Sequence, residues 1–212
     1  RKERVGRFEE SLTLMKRLWM GEEVTFEGEF WKIYEGKLGL LPVQKPYPPV
    51  WIAAQSEGAV RRAAAMGDAC LLGPQPSWAD FRVLARQYRS ALENQGKAGN
   101  GMLAANRSVA IARDSETAKQ QAKAAGEAKV SQYVGFNMQE STTVDFGLGG
   151  SRDLSEWALV GSPDECAEMI TRCHEEHGLE FIGLGFLNLP KGLSARLEHL
   201  QMIGEEFVSK LP

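Results

Sequence analysis

The strongest indication of chemistry in the sequence is the segment Gln55-Ser56-Glu57-Gly58, which follows an uninterrupted apolar run at residues 50–54. The apolar run predicts a buried β-strand, and the residues after Gly58 predict a helix. A strand that turns sharply into a helix directs several unpaired backbone N–H groups and the positive end of the helix dipole towards one point. This arrangement binds anions, most naturally a phosphate group, and the Ser56 hydroxyl would be a further donor.

A simpler interpretation is that the Ser56 hydroxyl only caps the helix that follows, which requires no ligand. Spacing alone favours this capping role. Glu57 also argues against a bound phosphate, because its carboxylate would repel the anion unless the side chain turned outward. Arg61 lies four residues later and is placed to hold Glu57 in an ion pair on the helix surface. Both interpretations stay open on the residues alone.

Two other motifs have weaker claims to chemistry. Residues 173–177, Cys-His-Glu-Glu-His, separate their histidines by three positions, whereas a zinc-binding helix separates them by four. His177 is better explained as a complement to the negative end of its helix. The glycine-rich residues 147–152 lack the spacing of a phosphate-binding loop, and the alternative is a lid with Arg152 as an anion contact. We therefore assign no metal site and no catalytic residue.

The composition limits the classes of partner. Of the 212 residues, 43% are hydrophobic, which is sufficient for a folded core. The 25 Lys and Arg against 28 Asp and Glu leave a formal net charge of -3, so we expect neither nucleic-acid binding nor binding to an anionic membrane. The three cysteines form an odd set that provides neither a disulfide framework nor a four-thiolate zinc site. We therefore expect a cytoplasmic protein.

Strands and helices alternate along the chain. The first helix is expected to end at Gly21, and residues 24–27 and 29–33 predict a small hairpin around Gly28. A long loop without periodicity is expected at residues 135–157. Buried strands are predicted at residues 50–54, 69–72, 108–112 and 181–186. Amphipathic helices are predicted at residues 59–66, 77–92, 116–133, 163–177 and 193–207.

This alternation predicts an α/β fold. Apolar strands separated by amphipathic helices form parallel βαβ units, which close into a doubly wound sheet or a (β/α) barrel. The most specific helix start is at Ser162-Pro163-Asp164-Glu165, a capping box with proline at the first helical position. No interdomain linker interrupts residues 1–212, so we expect one domain.

The order of these features resembles the luciferase-like flavin monooxygenase family, to which bacterial luciferase belongs. The resemblance extends over essentially all 212 residues. Its most specific elements are Pro-Val-Gln at residues 42–44, Pro-Pro-Val-Trp at 48–51 and Val-Gly-Ser-Pro at 160–163. It is also carried by the Arg-rich first helix and by residues 26–30, 52–56 and 63–68. Ala69-Cys70 departs from the glycine and aromatic pair of many relatives.

The resemblance implies a (β/α)8 TIM-type barrel in which this chain supplies strands five to eight, together with the hairpin and the long loop. Family members bind reduced FMN or, in some branches, the deazaflavin F420. The resemblance places Ser56 where relatives hold the cofactor phosphate, and we expect Gly73 and Phe186 to line the barrel mouth. The implied cofactor-binding residues are Gln55, Ser56, Glu57, Gly58, Ala59 and Gly73.

A complete barrel takes about 250 residues, so we expect strands one to four upstream of Arg1 and the chain to be the C-terminal part of a longer polypeptide. The catalytic groups would then lie in that upstream part. The function implied by the resemblance is a flavin-dependent monooxygenase or oxidoreductase that acts on a small organic substrate with reduced FMN and dioxygen. The alternatives are an F420-dependent oxidoreductase of the same fold and a catalytically silent flavin-binding protein. A flavin reductase and a second copy in a homodimer are the expected partners.

Overall fold

The amino-terminal part of the chain contains a helix and a hairpin. In this computed structural model, which describes residues 3–74, 76–123, 125 and 154–212, helix α1 (Arg4–Trp19) is followed by strands β1 (Val24–Glu27) and β2 (Lys32–Gly36). Gly21 has the left-handed conformation expected after the helix, with φ 87°. The chain forms two compact units that divide after Val50, and this helix and hairpin belong to the first.

The predicted second strand of the hairpin, residues 29–33, was wrong in its bounds. The backbone N–H groups of Glu29, Phe30 and Trp31 donate to the carboxylate of Glu10, at 2.8, 3.0 and 3.2 Å, instead of pairing with β1. The second strand therefore begins at Lys32. Burial opposes the ionisation of Glu10, but these donors outweigh it and hold the pKa of Glu10 below its ordinary value.

The second unit, from Trp51, is built on parallel strands. Their spans are β3 (Trp51–Ala54), β4 (Ala69–Leu72), β5 (Met102–Ile111), β6 (Leu159–Gly161) and β7 (Leu179–Phe186). β3, β4, β5 and β7 lie side by side in that order, and β6 pairs with the carboxyl end of β5. β5 begins at Met102 rather than at the predicted Ser108, because Asn106 and Arg107 interrupt the apolar run without ending the strand.

Helices lie between these strands and after the last one. They are α2 (Glu57–Met66), α3 (Trp78–Glu93), α4 (residues 115–123), α5 (Pro163–His177) and α6 (Leu193–Met202). The capping box of α5 is present as predicted, and the helix ends at a left-handed Gly178 with φ 67°. The remainder of the helix predicted at 116–133, and the predicted loop at 135–157 apart from its last residues, lie outside the described residues.

Side chains alternate between two faces of the parallel sheet. The outer face is covered by helices and carries Ile52, Ala54, Cys70, Leu72, Leu103 and Ala105, all buried. The opposite face, here called the inner face, carries Trp51 and Phe181, whose ring centroids lie 5.0 Å apart in an edge-to-face contact. These two rings come from β3 and β7, the two outer strands of the row, so the sheet curls around its inner face. The predicted α/β class, with the strand order of a barrel wall, is confirmed.

The burial of apolar side chains in the last helical region differs from the prediction in its first half. The predicted apolar residues Ile203 and Phe207 are buried, but Leu193, Leu197 and Leu200 are 74%, 58% and 44% exposed. The described residues thus leave Leu193 largely open and cover Leu197 and Leu200 only in part. Within the described part of the chain, no helix combines the length and the apolar character that crossing a membrane requires.

Candidate functional site

The turn from β3 into α2 is the centre of the candidate site. Ser56 stands at the N-cap position with an extended backbone, φ -151° and ψ 159°, and its side chain makes no capping hydrogen bond. The simpler interpretation of Ser56 as a capping residue was therefore wrong. Ser56, Glu57 and Gly58 are exposed, and the first N–H groups of α2 have no acceptor within the helix. An anion can approach both the amides and the hydroxyl.

The Glu57 carboxylate, whose charge would repel a bound phosphate, is held along the helix by an ion pair. Its Oε1 lies 3.0 Å from Nη1 of Arg61, the i,i+4 partner that the sequence indicated. Both side chains are exposed, so this pair adds little stability. It does direct the carboxylate along the helix surface towards the second turn, and a guanidinium partially neutralises the carboxylate.

The structure brings the predicted cofactor-binding residues to one edge of the sheet. Gln55 to Ala59 follow β3, and Gly73 follows β4 directly. Ala54 pairs with Leu72 in the parallel register, so Gln55 and Gly73 are the first residues beyond two adjacent strand ends. Active sites of barrel enzymes lie at this carboxyl edge. A Cβ atom placed on Gly58 would meet no atom within 4 Å, so a ligand has room to approach the backbone there.

Phe186 does not line the mouth that the sequence suggested. It pairs with Val109, which is buried on the outer face, and its ring lies 6.2 Å from the ring of His199 in α6. The alternation of β7 thus directs Phe186 into the helix layer. Burial lowers the pKa of His199.

Arg107 is a residue of the site region that the sequence reasoning missed. It is 1% exposed on the outer face, and its Nη1 donates to the carbonyl oxygens of Gly73 at 3.2 Å and Pro76 at 2.9 Å. Its guanidinium carbon lies 4.5 Å from the ring centroid of Trp78 and 5.1 Å from that of Phe81. Burial lowers the pKa of Arg107 to about 10. Arg107 therefore tethers the backbone that follows β4, including Gly73.

The histidine motif at the end of α5 has a structural explanation. His174 Nδ1 lies 2.8 Å from the carbonyl oxygen of Leu179, and the ring of His177 meets the ring of Phe81 edge to face. Across the described ranges, no group of three or more His, Cys, Asp or Glu side chains is arranged for a metal. The other weak motif, residues 147–152, lies outside the described residues.

The cysteines are unsuited to nucleophilic catalysis. Cys70, Cys166 and Cys173 are all buried and free of disulfide bonds. Burial raises the pKa of Cys70 and of Cys166 to about 12, so both are thiols at neutral pH. The candidate site is thus a strand-to-helix turn that an anion can approach, and none of these three cysteines is suited to act there as a nucleophile.

Known proteins with similar sequences were found by comparison. The profile described as luciferase-like monooxygenase matches residues 1–180. The F420-dependent glucose-6-phosphate dehydrogenase of Intrasporangium calvum is 39% identical over 67 residues, which are 32% of this chain and 20% of that protein. The enzyme of the same name from Nakamurella multipartita is 29% identical over 194 residues, 89% of this chain and 54% of that protein. The chain thus spans about half the length of this second relative.

Solved structures with similar folds cover nearly all of the chain. The monooxygenase RslO1 from Streptomyces bottropensis aligns with a TM-score of 0.72 and 21% identity, over 98% of this chain and 62% of that one. The oxygenating constituent of 3,6-diketocamphane monooxygenase from Pseudomonas putida, solved in complex with FMN, aligns with a TM-score of 0.68 and 18% identity, over 96% and 62%. At these identities the likeness shows the fold. Because the family profile matches most of the sequence, the chain belongs to the luciferase-like monooxygenase family.

Proposed function

We propose that the polypeptide carrying this chain is a flavin-dependent monooxygenase or oxidoreductase that acts on a small organic substrate with reduced FMN and dioxygen. The observation that carries the proposal is the exposed first turn of α2, whose N-cap hydroxyl is not used for capping and which lies at the carboxyl edge of a parallel barrel-type sheet. The FMN complex of a fold relative supports this choice of cofactor.

In this proposal the chain supplies the phosphate end of the cofactor site. The Ser56 hydroxyl and the N–H groups of Glu57, Gly58 and Ala59 donate hydrogen bonds to the phosphate, and the dipole of α2 favours its charge. Gln55 and Gly73 lie beside it at adjacent strand ends, and Arg107 holds the carbonyl of Gly73 in place. Reduced flavin, when bound, supplies electrons for substrate oxidation with dioxygen. The catalytic residues are proposed to lie upstream of Arg1.

The second candidate is an F420-dependent oxidoreductase of the same fold. It is favoured by the names of the sequence relatives, which are F420-dependent dehydrogenases. F420 also carries a phosphate group, so the same turn of α2 would serve it. For either cofactor we propose a cytoplasmic homodimer, and for FMN a separate reductase that supplies the reduced form.

A competition titration tests both candidates. Protein expressed from the complete open reading frame is titrated with FMN and with F420, first separately and then together, with cofactor absorbance and fluorescence as the readout. We expect saturable binding of one cofactor, with FMN preferred. Binding of neither cofactor would contradict the proposed function, and a clear preference for F420 would select the second candidate.

Two serine variants separate a phosphate role from a helix-capping role. Ser56→Ala is expected to weaken cofactor binding by about 5- to 30-fold, the equivalent of about 1–2 kcal/mol for the loss of one hydrogen bond. It should leave the free energy of unfolding unchanged, because no capping bond is lost. The matched control, Ser162→Ala, removes a true cap and should lower the free energy of unfolding by about 1 kcal/mol without changing cofactor affinity. Unchanged affinity in Ser56→Ala would refute the phosphate role.

A further inference from the structure

The strand register aligns four residues in one row at the carboxyl edge of the inner face. Ala53 pairs with Leu71, Leu71 with Ala104, and Ala104 with Phe181. Two residues further along each strand path, the same alternation gives the row Gln55, Gly73, Asn106 and Gly183. Side chains in such rows of a barrel point to the interior and stack in layers. Two amide side chains and two glycines thus form one inner layer that extends across all four strands, with the pair Ser108 and Gly185 beyond it on β5 and β7.

Asn106 is the exposed polar side chain of this row on β5. Its neighbour Arg107 faces the helices, so alternation directs Asn106 to the inner face. A Cβ atom built on Gly183 would overlap with Oδ1 of Asn106, which shows independently that the amide lies over the Gly183 backbone. Within the described part of the chain, the Asn106 amide makes no side-chain hydrogen bond. Its donor and acceptor are available to a ligand.

The inner face around Asn106 is uncharged. The alternation assigns to it Trp51, Ala53, Ala69, Leu71, Met102, Ala104, Asn106, Ser108, Phe181, Gly183 and Gly185. None of these described positions carries an ionisable side chain, and the exposed rings of Trp51 and Phe181 are uncharged and largely hydrocarbon. A buried phosphate or carboxylate needs a compensating cation or several donors. This wall carries no cation, and it provides apolar surface beside the exposed Asn106 amide.

We propose that Asn106 contacts the substrate and selects an uncharged organic molecule that carries a hydroxyl or carbonyl oxygen, an inference that rests on the proposed function. The Asn106 NH₂ group donates to a carbonyl or hydroxyl oxygen, and its Oδ1 accepts from a hydroxyl. Trp51 and Phe181 pack against the carbon skeleton. Gly183 is the glycine that leaves room for the amide. A phosphorylated substrate, which the names of the sequence relatives suggest, fits this wall poorly.

Matched probes of one carbon skeleton test the selectivity. Full-length protein is saturated with cofactor, which fills the phosphate site at α2, and is titrated with cyclohexanol, cyclohexanone and cyclohexyl phosphate by ligand-detected NMR. We expect the two neutral probes to bind saturably and at least 10-fold more tightly than the phosphate ester. Tighter binding of cyclohexyl phosphate, or no saturable binding of either neutral probe, would overturn the proposal.

Variants test whether Asn106 itself contacts the substrate. Asn106→Ala is expected to weaken cyclohexanone binding by about 5- to 10-fold, the size of one hydrogen bond, while cofactor affinity stays within about twofold. Gly183→Ala, whose added methyl group displaces the Asn106 amide, should weaken cyclohexanone binding to a similar extent. The control is Asn100→Ala. Asn100 precedes β5 at the opposite edge of the sheet, so this change should alter neither the cyclohexanone affinity nor the cofactor affinity. Unchanged cyclohexanone affinity in Asn106→Ala with normal cofactor binding overturns this inference alone. Failure of the wild type to bind cofactor overturns the proposed function, and this inference with it.

Discussion

Ser56, Ser77 and Ser162 each precede a helix, but they use their hydroxyl groups differently. Ser77 and Ser162 accept hydrogen bonds from the N–H groups of Asp80 and Glu165, whereas Ser56 makes no capping bond. A serine that does not stabilise its own helix is available to a ligand. This difference is the residue-level basis for assigning the phosphate role to Ser56.

At Arg107 the free-energy cost of burying a charge opposes the stabilisation from its hydrogen bonds. Burial that lowers the pKa of Arg107 from its ordinary value to about 10 corresponds to a cost of roughly 3 kcal/mol for the charged form. The hydrogen bonds from its guanidinium to the carbonyls of Gly73 and Pro76 contribute about 1.5–3 kcal/mol each. The two effects nearly offset each other. Arg107 therefore matters more for the position of Gly73 than for stability.

The variant Arg107→Met tests this balance. We expect the free energy of unfolding to change by less than about 2 kcal/mol, because methionine fills the apolar site without a desolvation cost. Cofactor affinity should fall several-fold, because the backbone at Gly73 loses its tether. Urea unfolding and cofactor titration measure the two quantities. A large loss of stability with unchanged cofactor affinity would assign Arg107 a purely structural role.

The sequence indicated some of these residues and missed others for a definable reason. Gln55 to Ala59 were identified because an apolar run, a turn and a helix follow one another without interruption. Asn106 and Arg107 were missed because polar residues in a strand resemble its end, and the predicted strand began at Ser108. A central strand tolerates Arg107 because two aromatic rings and two carbonyls surround it, and these come from distant parts of the sequence.

At the level of elements, short strands and contacts between distant residues limited how well strand positions could be predicted from the sequence. β6 (Leu159–Gly161) is too short to show any periodicity and was not predicted. The hairpin strand shifted to Lys32 because a distant carboxylate, Glu10, binds the preceding N–H groups. Elements with a cap or a long apolar run were predicted closely. Both β4 and the start of α5 at Pro163 lie where the sequence placed them.

Because of the capping box of α5, the free energy of unfolding should decrease as the pH falls through the acid range. The Ser115 hydroxyl and then the N–H and hydroxyl of Ser162 donate to the Glu165 carboxylate, and they hold the pKa of Glu165 below its ordinary value. A group whose pKa is lower in the folded state contributes stability at neutral pH and loses it as the pH falls through the folded-state pKa. Because Glu165 is exposed, the contribution is at most about 1 kcal/mol.

Glu165→Gln should therefore be less stable than the wild type at pH 7, and the difference should shrink below pH 4.5. Thermal unfolding at several pH values measures it. Glu168→Gln, on the same helix but not in the capping box, is the control and should show no such dependence. A difference that stays constant between pH 7 and pH 3 would contradict the role assigned to the carboxylate.

At the level of the whole molecule, apolar surface remains open within the described structure. Trp51 and Phe181 are 39% and 47% exposed on the inner face, and Leu193 and Leu197 are exposed on α6. β3 and β7 each pair along one edge only among the described strands. Large apolar patches of this kind are usually covered by another part of the protein. The upstream barrel strands expected from the family would cover these surfaces.

The exposed leucines give a test of this arrangement. The 212-residue chain expressed alone should enhance the fluorescence of the dye ANS, which binds open apolar surface. Leu193→Ser combined with Leu197→Ser should reduce that fluorescence without lowering the unfolding midpoint, because both side chains are already exposed. Ile203→Ser, at a buried position of the same helical region, should lower the midpoint. Absence of dye fluorescence from the wild-type chain would show that the apolar surface is covered within these residues.

The central claim is that the first turn of α2, with Ser56, binds the phosphate of a flavin or deazaflavin. The most direct measurement compares the dissociation constant of the cofactor with that of its phosphate-free form, riboflavin for FMN or the free deazaflavin chromophore for F420, in the wild type and in Ser56→Ala. The account predicts that the wild type binds the phosphorylated form more tightly and that Ser56→Ala reduces this advantage several-fold while leaving the phosphate-free affinity unchanged. An equal advantage in both proteins would contradict it.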